Sequence, residues 1–145
     1  MTRTHMTKTV IVDIDGTVAL REGADPRSPY DWHRVHEDTP NSAVIAVVEA
    51  LAHAGHRIVF LSGREDVCRA DTLTWLKEHI GIPGFELYMR KADDRRLDSI
   101  VKRELYDTHL ADRDVLCVID DRDQVVRMWR EDLGLTCLQV AYGDF

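Results

Sequence analysis

Two carboxylates, Asp13 and Asp15, stand one residue apart where the apolar run "VIVDIDGTV" ends, with Gly16 directly after them. Residues two apart on an extended chain point the same way. The pair therefore faces one point in space, and like charges held that close raise each other's pKa. Two further acids, Asp120 and Asp121, end the run "DVLCVIDD", and Ser62-Gly63-Arg64 ends "HRIVFLSGR". Asp98 and Lys102 have an i, i+4 spacing, which puts them on one helix face. Four carboxylates, a hydroxyl and two arginines (Arg64 and Arg122) at strand ends are too much charge for a structural core. A hard divalent cation would neutralise it, because magnesium takes carboxylate, water and phosphate oxygens. Asp13 and an acid of the "VIDD" end are expected to meet around such an ion, which leaves Asp15 another role.

Alternating strands and amphipathic helices must carry these groups. Val10–Asp13 reads as a first strand, and Thr17–Pro40, with three prolines and no periodicity, as a long loop or small flap. "NSAVIAVVEALAHAG" reads as a helix capped by Asn41 or Ser42, with Val44, Val47, Val48 and Leu51 inward and Gly55 at its end. "HRIVFLSGR" is a second strand. Asp66–Ile80 is a helix with Leu73, Leu76 and Ile80 on one face, and "GIPGFELYMR" holds a third strand. Asp98–Leu110 is a helix centred on Ile100, Val101 and Leu105, and "DVLCVIDD" is a fourth strand. Gln124–Leu133 is a helix carrying Val125, Val126, Trp129 and Leu133, and "LTCLQVAYGDF" supplies a last strand. Continuous apolar strands between such helices predict one α/β domain, residues 8–145, with an open, doubly wound parallel sheet covered on both faces. Ligands of such sheets bind at the carboxyl ends of the strands. Residues 1–7 read as a disordered or tag-like tail.

Composition narrows the function. The chain has 145 residues, 44% apolar and 31% charged, enough for a real core. No apolar run approaches the ~20 residues of a membrane span, and no apolar stretch precedes the first strand, so neither membrane nor secretion is expected. Cys68, Cys117 and Cys137 lack metal-ligand spacing and read as buried thiols, which suits a reducing cytoplasm. The net charge of −7 argues against a protein that coats nucleic acid through bulk charge, though not against a small basic site for one phosphorylated end.

"DIDGTV", "LSGR", Lys102 and "IDDR", in that order, resemble the four motifs of the haloacid dehalogenase superfamily of phosphotransferases. "RSPYDW", "SGRE", "DDRRLDSIVKRELY", "IDDRDQVVRMW" and "QVAYGDF" are similar to the 3′-phosphatase domains of bacteriophage-type polynucleotide kinase/phosphatases, over Lys8 to Phe145. The resemblance implies Asp13 as nucleophile, forming an aspartyl-phosphate, and Asp15 as general acid and base. The Asp13 charge and partial burial are expected to push the Asp15 pKa up for that task. It implies that Thr17, Ser62, Gly63 and Lys102 bind the phosphate, with Arg64 adding a planar fork and Asp98 orienting Lys102. Arg27, before Pro-Tyr-Asp, and Arg122 are further phosphate contacts, although Arg122 has a local partner in Asp123. Asp13, Asp15, Asp120 and Asp121 form the expected Mg2+ group, with Asp121 the direct ligand and Asp120 behind it. Tyr30 and Trp32 either stack on a base or anchor the flap.

The expected activity is Mg2+-dependent removal of 3′-phosphate, with 2′,3′-cyclic phosphate as a further substrate, from DNA or RNA ends. A phosphatase for free nucleotides or other small monoesters is the alternative. No G-x-x-x-x-G-K-[ST] string occurs, so no 5′-kinase activity is expected, and a separate kinase or ligase is the expected partner.

Overall fold

The computed structural model describes residues 7–144; of the expected N-terminal tail only Thr7 falls within them. β1 (Thr9–Val12) is buried along its whole length. Val10 and Val12 enter one hydrophobic cluster and Ile11 the other, as strand alternation requires of a strand covered on both faces. It is the middle of a five-stranded sheet. β4 (Arg57–Glu65) and then β5 (Glu86–Arg90) lie on one side, β6 (Val115–Asp120) and then β7 (Cys137–Gln139) on the other. Every pairing is parallel.

Four helices link the strands. α1 (Ser42–His53) and α2 (Arg69–His79) cover one face through Ile45, Val48, Trp75 and Leu76. α3 (Asp98–His109) and α4 (Asp123–Arg127) cover the other, with Val125, Val126 and Trp129 against Ile11, Leu61 and Val118. α4 runs on as a π-helical turn over Met128–Asp132. The chain winds outward from β1 through β4 to β5, then returns to β6 beside β1. That reversal opens a crevice at the carboxyl ends of β1 and β6. Over it lies the predicted flap, made of a two-stranded antiparallel ribbon, β2 (Ala19–Leu20) with β3 (Thr39–Pro40), and a 3-10 helix at Trp32–Glu37.

The sheet and the helix order match the sequence reading; two helix faces do not. Val47 and Ile100, both expected inward, are each 47% exposed. On α1 the buried line runs through Ile45 and Val48, which turns Val47 outward. On α3 the inward positions are Val101 and Lys102, so the residue before them faces out. The helix expected at Asp66–Ile80 opens as a 3-10 turn, Asp66–Cys68, before α2. Cys68, Cys117 and Cys137 are buried free thiols, and burial pushes the Cys137 thiol up to about 12. Among the described residues no helix is long and apolar enough to cross a membrane.

Candidate active site

The ends of β1, β4 and β6 converge. Asp13 follows β1 and its amide donates to the carbonyl of Ile119 on β6 (2.9 Å). Its carboxylate accepts from Lys102 Nζ (2.7 Å) and from Thr17 Oγ1 (2.8 Å). Gly16, at φ +80°, lets the chain turn beneath Asp121: a Cβ there would lie 2.0 Å from Asp121 Oδ2. Gly63 is constrained in the same way, since its Cβ would meet Asp98 Oδ1 at 2.1 Å. Ser62, buried behind it, accepts the Arg64 amide (3.1 Å).

Lys102 is buried between carboxylates, 2.7 Å from Asp13, 3.0 Å from Asp120 and 3.8 Å from Asp98. Burial alone would favour its neutral form; Asp120 and then Asp13 outweigh that and hold its pKa well above the usual value. Asp98 lies closer to Arg90 (3.2 Å) than to Lys102, with Arg122 at 3.6 Å. Asp120 is fully engaged. Oδ1 accepts the Asp121 amide (2.8 Å), and Oδ2 accepts from Lys102 and from Trp129 Nε1 (3.1 Å). No nitrogen donor among the described residues reaches the Asp121 carboxylate. One oxygen from each of Asp13, Asp120 and Asp121 falls within 4.8 Å of the others, and Lys102 pairs with only the first two of these acids. Burial, with the Asp120 charge, raises Asp13 well above the usual carboxylate value; burial likewise raises Asp121 to about 6. That negative excess among hard oxygen donors fits a divalent cation.

Asp15 belongs to a different cluster. Its carboxylate accepts from Arg64 Nη2 (2.8 Å) and Nε (3.1 Å) and from Arg27 Nη2 (3.1 Å). Both guanidinium groups also donate to Asp38: Arg27 through Nε and Nη2, Arg64 through Nη2, each at 2.8 Å. The remaining Arg27 nitrogen donates to the carbonyls of Ser28 and Pro29, and Arg64 Nη1 donates to Thr72 Oγ1. Both arginines are buried.

Four details differ from the sequence expectations. Burial pushes the Asp15 pKa up, but Arg64 and then Arg27 outweigh it, so the value ends below the usual one rather than raised. The Asp15 side chain lies outside the three-carboxylate group, drawn away by the arginines. Arg27 and Arg64 direct their forks at Asp15 and Asp38 rather than at open space. Thr17 donates to Asp13. Sequence reasoning missed Asp38, which no motif marks; only the burial of two arginines demands a second acid. It also missed the Trp129 bond to Asp120, hidden in an apolar helix pattern.

Asp13, Asp15, Gly63 and Asp121 line one cavity of about 900 Å³, bounded by the flap, the loop before α3 and the turn at Arg122. Trp32 anchors the flap by donating from Nε1 to Glu65 (3.0 Å). Tyr30, beside it, is 79% exposed.

The profile of the polynucleotide kinase PNKP phosphatase domain matches residues 7–145. A putative bifunctional polynucleotide kinase/RNA ligase of Autographa californica nuclear polyhedrosis virus is 38% identical over 127 residues, 86% of this chain and 18% of the relative. Among solved structures, a chain of the Pnkp1/Rnl/Hen1 RNA repair complex superposes with TM-score 0.87 at 39% identity, covering 96% of this chain and 44% of that one. A second Pnkp1/Rnl/Hen1 structure agrees, also at TM-score 0.87 and 39% identity, over 97% of this chain and 47% of the other. The chain thus spans less than half the length of each of these relatives. With acidic floor, buried lysine and family profile in agreement, the chain belongs to the PNKP phosphatase domains of the haloacid dehalogenase superfamily, which are phosphoric monoester hydrolases.

Proposed function

We propose that this chain removes 3′-phosphates, and opens 2′,3′-cyclic phosphates, at DNA or RNA ends through an aspartyl-phosphate on Asp13. The observation that carries the reading is the pair of carboxylates facing one cavity, Asp13 in an acidic floor and Asp15 between two arginines. Lys102 and Thr17 fix the Asp13 oxygens for attack on phosphorus. Asp13 and Asp121 are the residues to hold Mg2+, with Asp120 behind them; when bound, it supplies positive charge beside the phosphoryl oxygens. Gly63 lines the phosphate position with Ser62 directly behind it, Lys102 and Arg122 are the nearby cations, and Asp98 orients both.

Asp15 serves both half-reactions. In the resting protein it is ionised, the form that takes a proton from the water attacking the aspartyl-phosphate. A phosphate monoester beside Arg27 and Arg64 draws those cations toward itself and adds negative charge. Both changes raise the Asp15 pKa, so that it carries a proton to the departing sugar oxygen.

The relatives named for RNA repair and RNA ligase support nucleic-acid ends as substrate and a ligase as the partner that acts next. Three buried free thiols suit the cytoplasm as the place of reaction. No kinase chemistry is assigned to these residues, which hold no phosphate-cradling G-x-x-x-x-G-K-[ST] string. The test is phosphate release from a short oligonucleotide 3′-phosphate, with magnesium and with chelator, beside the matching 3′-mononucleotide. Release that needs magnesium and favours the oligonucleotide is expected. Equal or better release from the mononucleotide would move the activity to free nucleotides.

A further inference from the structure

Asp121 is pinned by its backbone and free at its carboxylate. Its amide donates to Asp120 Oδ1 (2.8 Å), and its carbonyl accepts from Gln139 Nε2 (2.9 Å). Side chains thus hold the peptide groups on both sides of its Cα. The carboxylate packs over Gly16 and meets no nitrogen donor among the described residues.

Gln139 does its part from outside the cavity. It ends β7, opposite Asp120 in the ladder, and the next amide, that of Val140, donates to the Asp120 carbonyl (2.9 Å). Main-chain pairing of β6 with β7 stops there. The Gln139 side chain carries the connection one residue further, onto Asp121. The other hydrogen of the same amide goes to Asp123 Oδ1 (2.7 Å). One planar group therefore spans the turn from the acid assigned to the metal to the first residue of α4.

The segment after β7 completes the brace. The Gly143 carbonyl accepts the Asp123 amide (2.9 Å), the Gly143 amide donates to Asp123 Oδ1 (3.0 Å), and Asp144 Oδ1 accepts the Gln124 amide (2.8 Å). The first amides of a helix attract any acid at its entrance. Here Gly143 and Asp144 occupy them, and Arg122, the N-cap of α4, makes no side-chain cap. The Asp121 carboxylate is left to share the floor with Asp13 and Asp120.

We infer that Gln139 is a positioning residue for the metal: it fixes the Asp121 carbonyl, and through it the direction of the carboxylate that meets the cation. The inference rests on the reading of Asp121 as a metal-holding acid given above. Gln139 does not line the cavity, so its route to the reaction runs through Asp121 and the turn. Groups that orient a ligating carboxylate are worth about tenfold or more in metal affinity.

The experiment titrates the metal-free full chain with Mn2+ and reads the free ion by electron paramagnetic resonance, which needs no turnover. Wild type is expected to bind the ion, and Asp121→Asn to lose most of that affinity. Gln139→Leu removes both hydrogen bonds, and Gln139→Glu keeps the size but has no hydrogen for either acceptor. Each should bind Mn2+ about tenfold more weakly while keeping the wild-type near-ultraviolet circular dichroism. The magnesium concentration for half-maximal phosphate release should rise by the same factor. Wild-type Mn2+ affinity in folded Gln139→Leu would overturn the inference and leave Asp121 in its role. Wild-type affinity in Asp121→Asn would instead remove Asp121 as the metal's holder, and the inference with it. Loss of the folded spectrum in both Gln139 variants would make the residue structural and overturn its positioning role.

Discussion

The acidic floor around Asp13 and the arginine clamp around Asp15 are built from the same residue type two positions apart, yet they are electrostatic opposites. In the floor stand three buried carboxylates, of which Lys102 pairs with Asp13 and Asp120 and leaves Asp121 without a cation. In the clamp, Asp15 and Asp38 face Arg27 and Arg64, two charges against two. Burial acts on both acids, but Asp13 ends above the usual carboxylate value and Asp15 below it. The floor carries an excess of negative charge that a cation would match; the clamp balances its own charges. Neighbouring acids pushed apart in this way suit the roles proposed for them, Asp13 as nucleophile and Asp15 as proton carrier.

The largest test of that division is Asp13→Asn. It relieves crowding in the floor, so folding should survive, while phosphate release falls by at least about 1,000-fold. Retention of a tenth of the wild-type rate would remove Asp13 from the nucleophile's role.

Next is Arg64→Ala, which strips the clamp of a fully buried cation. It leaves Asp15 and Asp38 with Arg27 alone. A loss of about 3 kcal/mol in chemical unfolding is expected, with turnover down about 100-fold. Arg64→Lys returns the charge without the planar fork and should not recover the rate. Unchanged stability would show the clamp to be loose.

The two sides should also respond oppositely to pH when divalent ions are removed. Asp121 is raised from 3.8 to about 6, so its stabilising contribution is present below about pH 4 and is lost as pH rises through 6. Metal-free protein should therefore be about 2 kcal/mol less stable at pH 7.5 than at pH 4.5 on this account, and Asp121→Asn should flatten the difference. Asp15 is lowered, so its contribution is present at neutral pH and is lost only as pH falls below the usual carboxylate range. Asp15→Asn should cost stability at pH 7 and little at pH 3. Parallel pH profiles for the two variants would erase the contrast.

The smallest effect isolates one bond. Trp129→Phe keeps the packing but deletes the N–H that reaches Asp120 Oδ2. The magnesium concentration for half-maximal turnover should rise about tenfold, the usual scale for a group that supports a ligating carboxylate. Arg64 and Asp15 lie in the other cluster and should not register the change.

Much of this was legible in the sequence because strand ends are local. "DIDGT", "LSGR" and "IDD" each follow an apolar run, and the rule that parallel sheets bind ligands at their carboxyl ends brings them together without coordinates. Spacing put Lys102 on one helix face with Asp98, and the resemblance to the superfamily motifs singled it out as the site lysine. What the sequence hid are choices among distant partners. Asp38 lies 11 residues from Arg27 and 26 from Arg64, and nothing in its surroundings marks it for burial. The arginines' preference for acids over open space also needs the flap folded down, as does the reversal of the Asp15 shift. Val47 and Ile100 were misread because adjacent apolar residues on a helix differ by about 100°, and only docking decides which one turns inward.

The Lys102–Asp13 contact closes a loop of 89 residues, and Arg64–Asp15 one of 49. Helices α1 to α4 form from near neighbours, but the reactive centre exists only once β4, α3 and β6 have all docked around β1. Long-range closures of this kind slow folding, because their chain entropy must be overcome before the contacts reward it. The centre therefore cannot form before the sheet has closed around β1. A chain whose sheet has not closed holds Asp13, Lys102 and Asp121 apart, so the return of activity after refolding would time that closing.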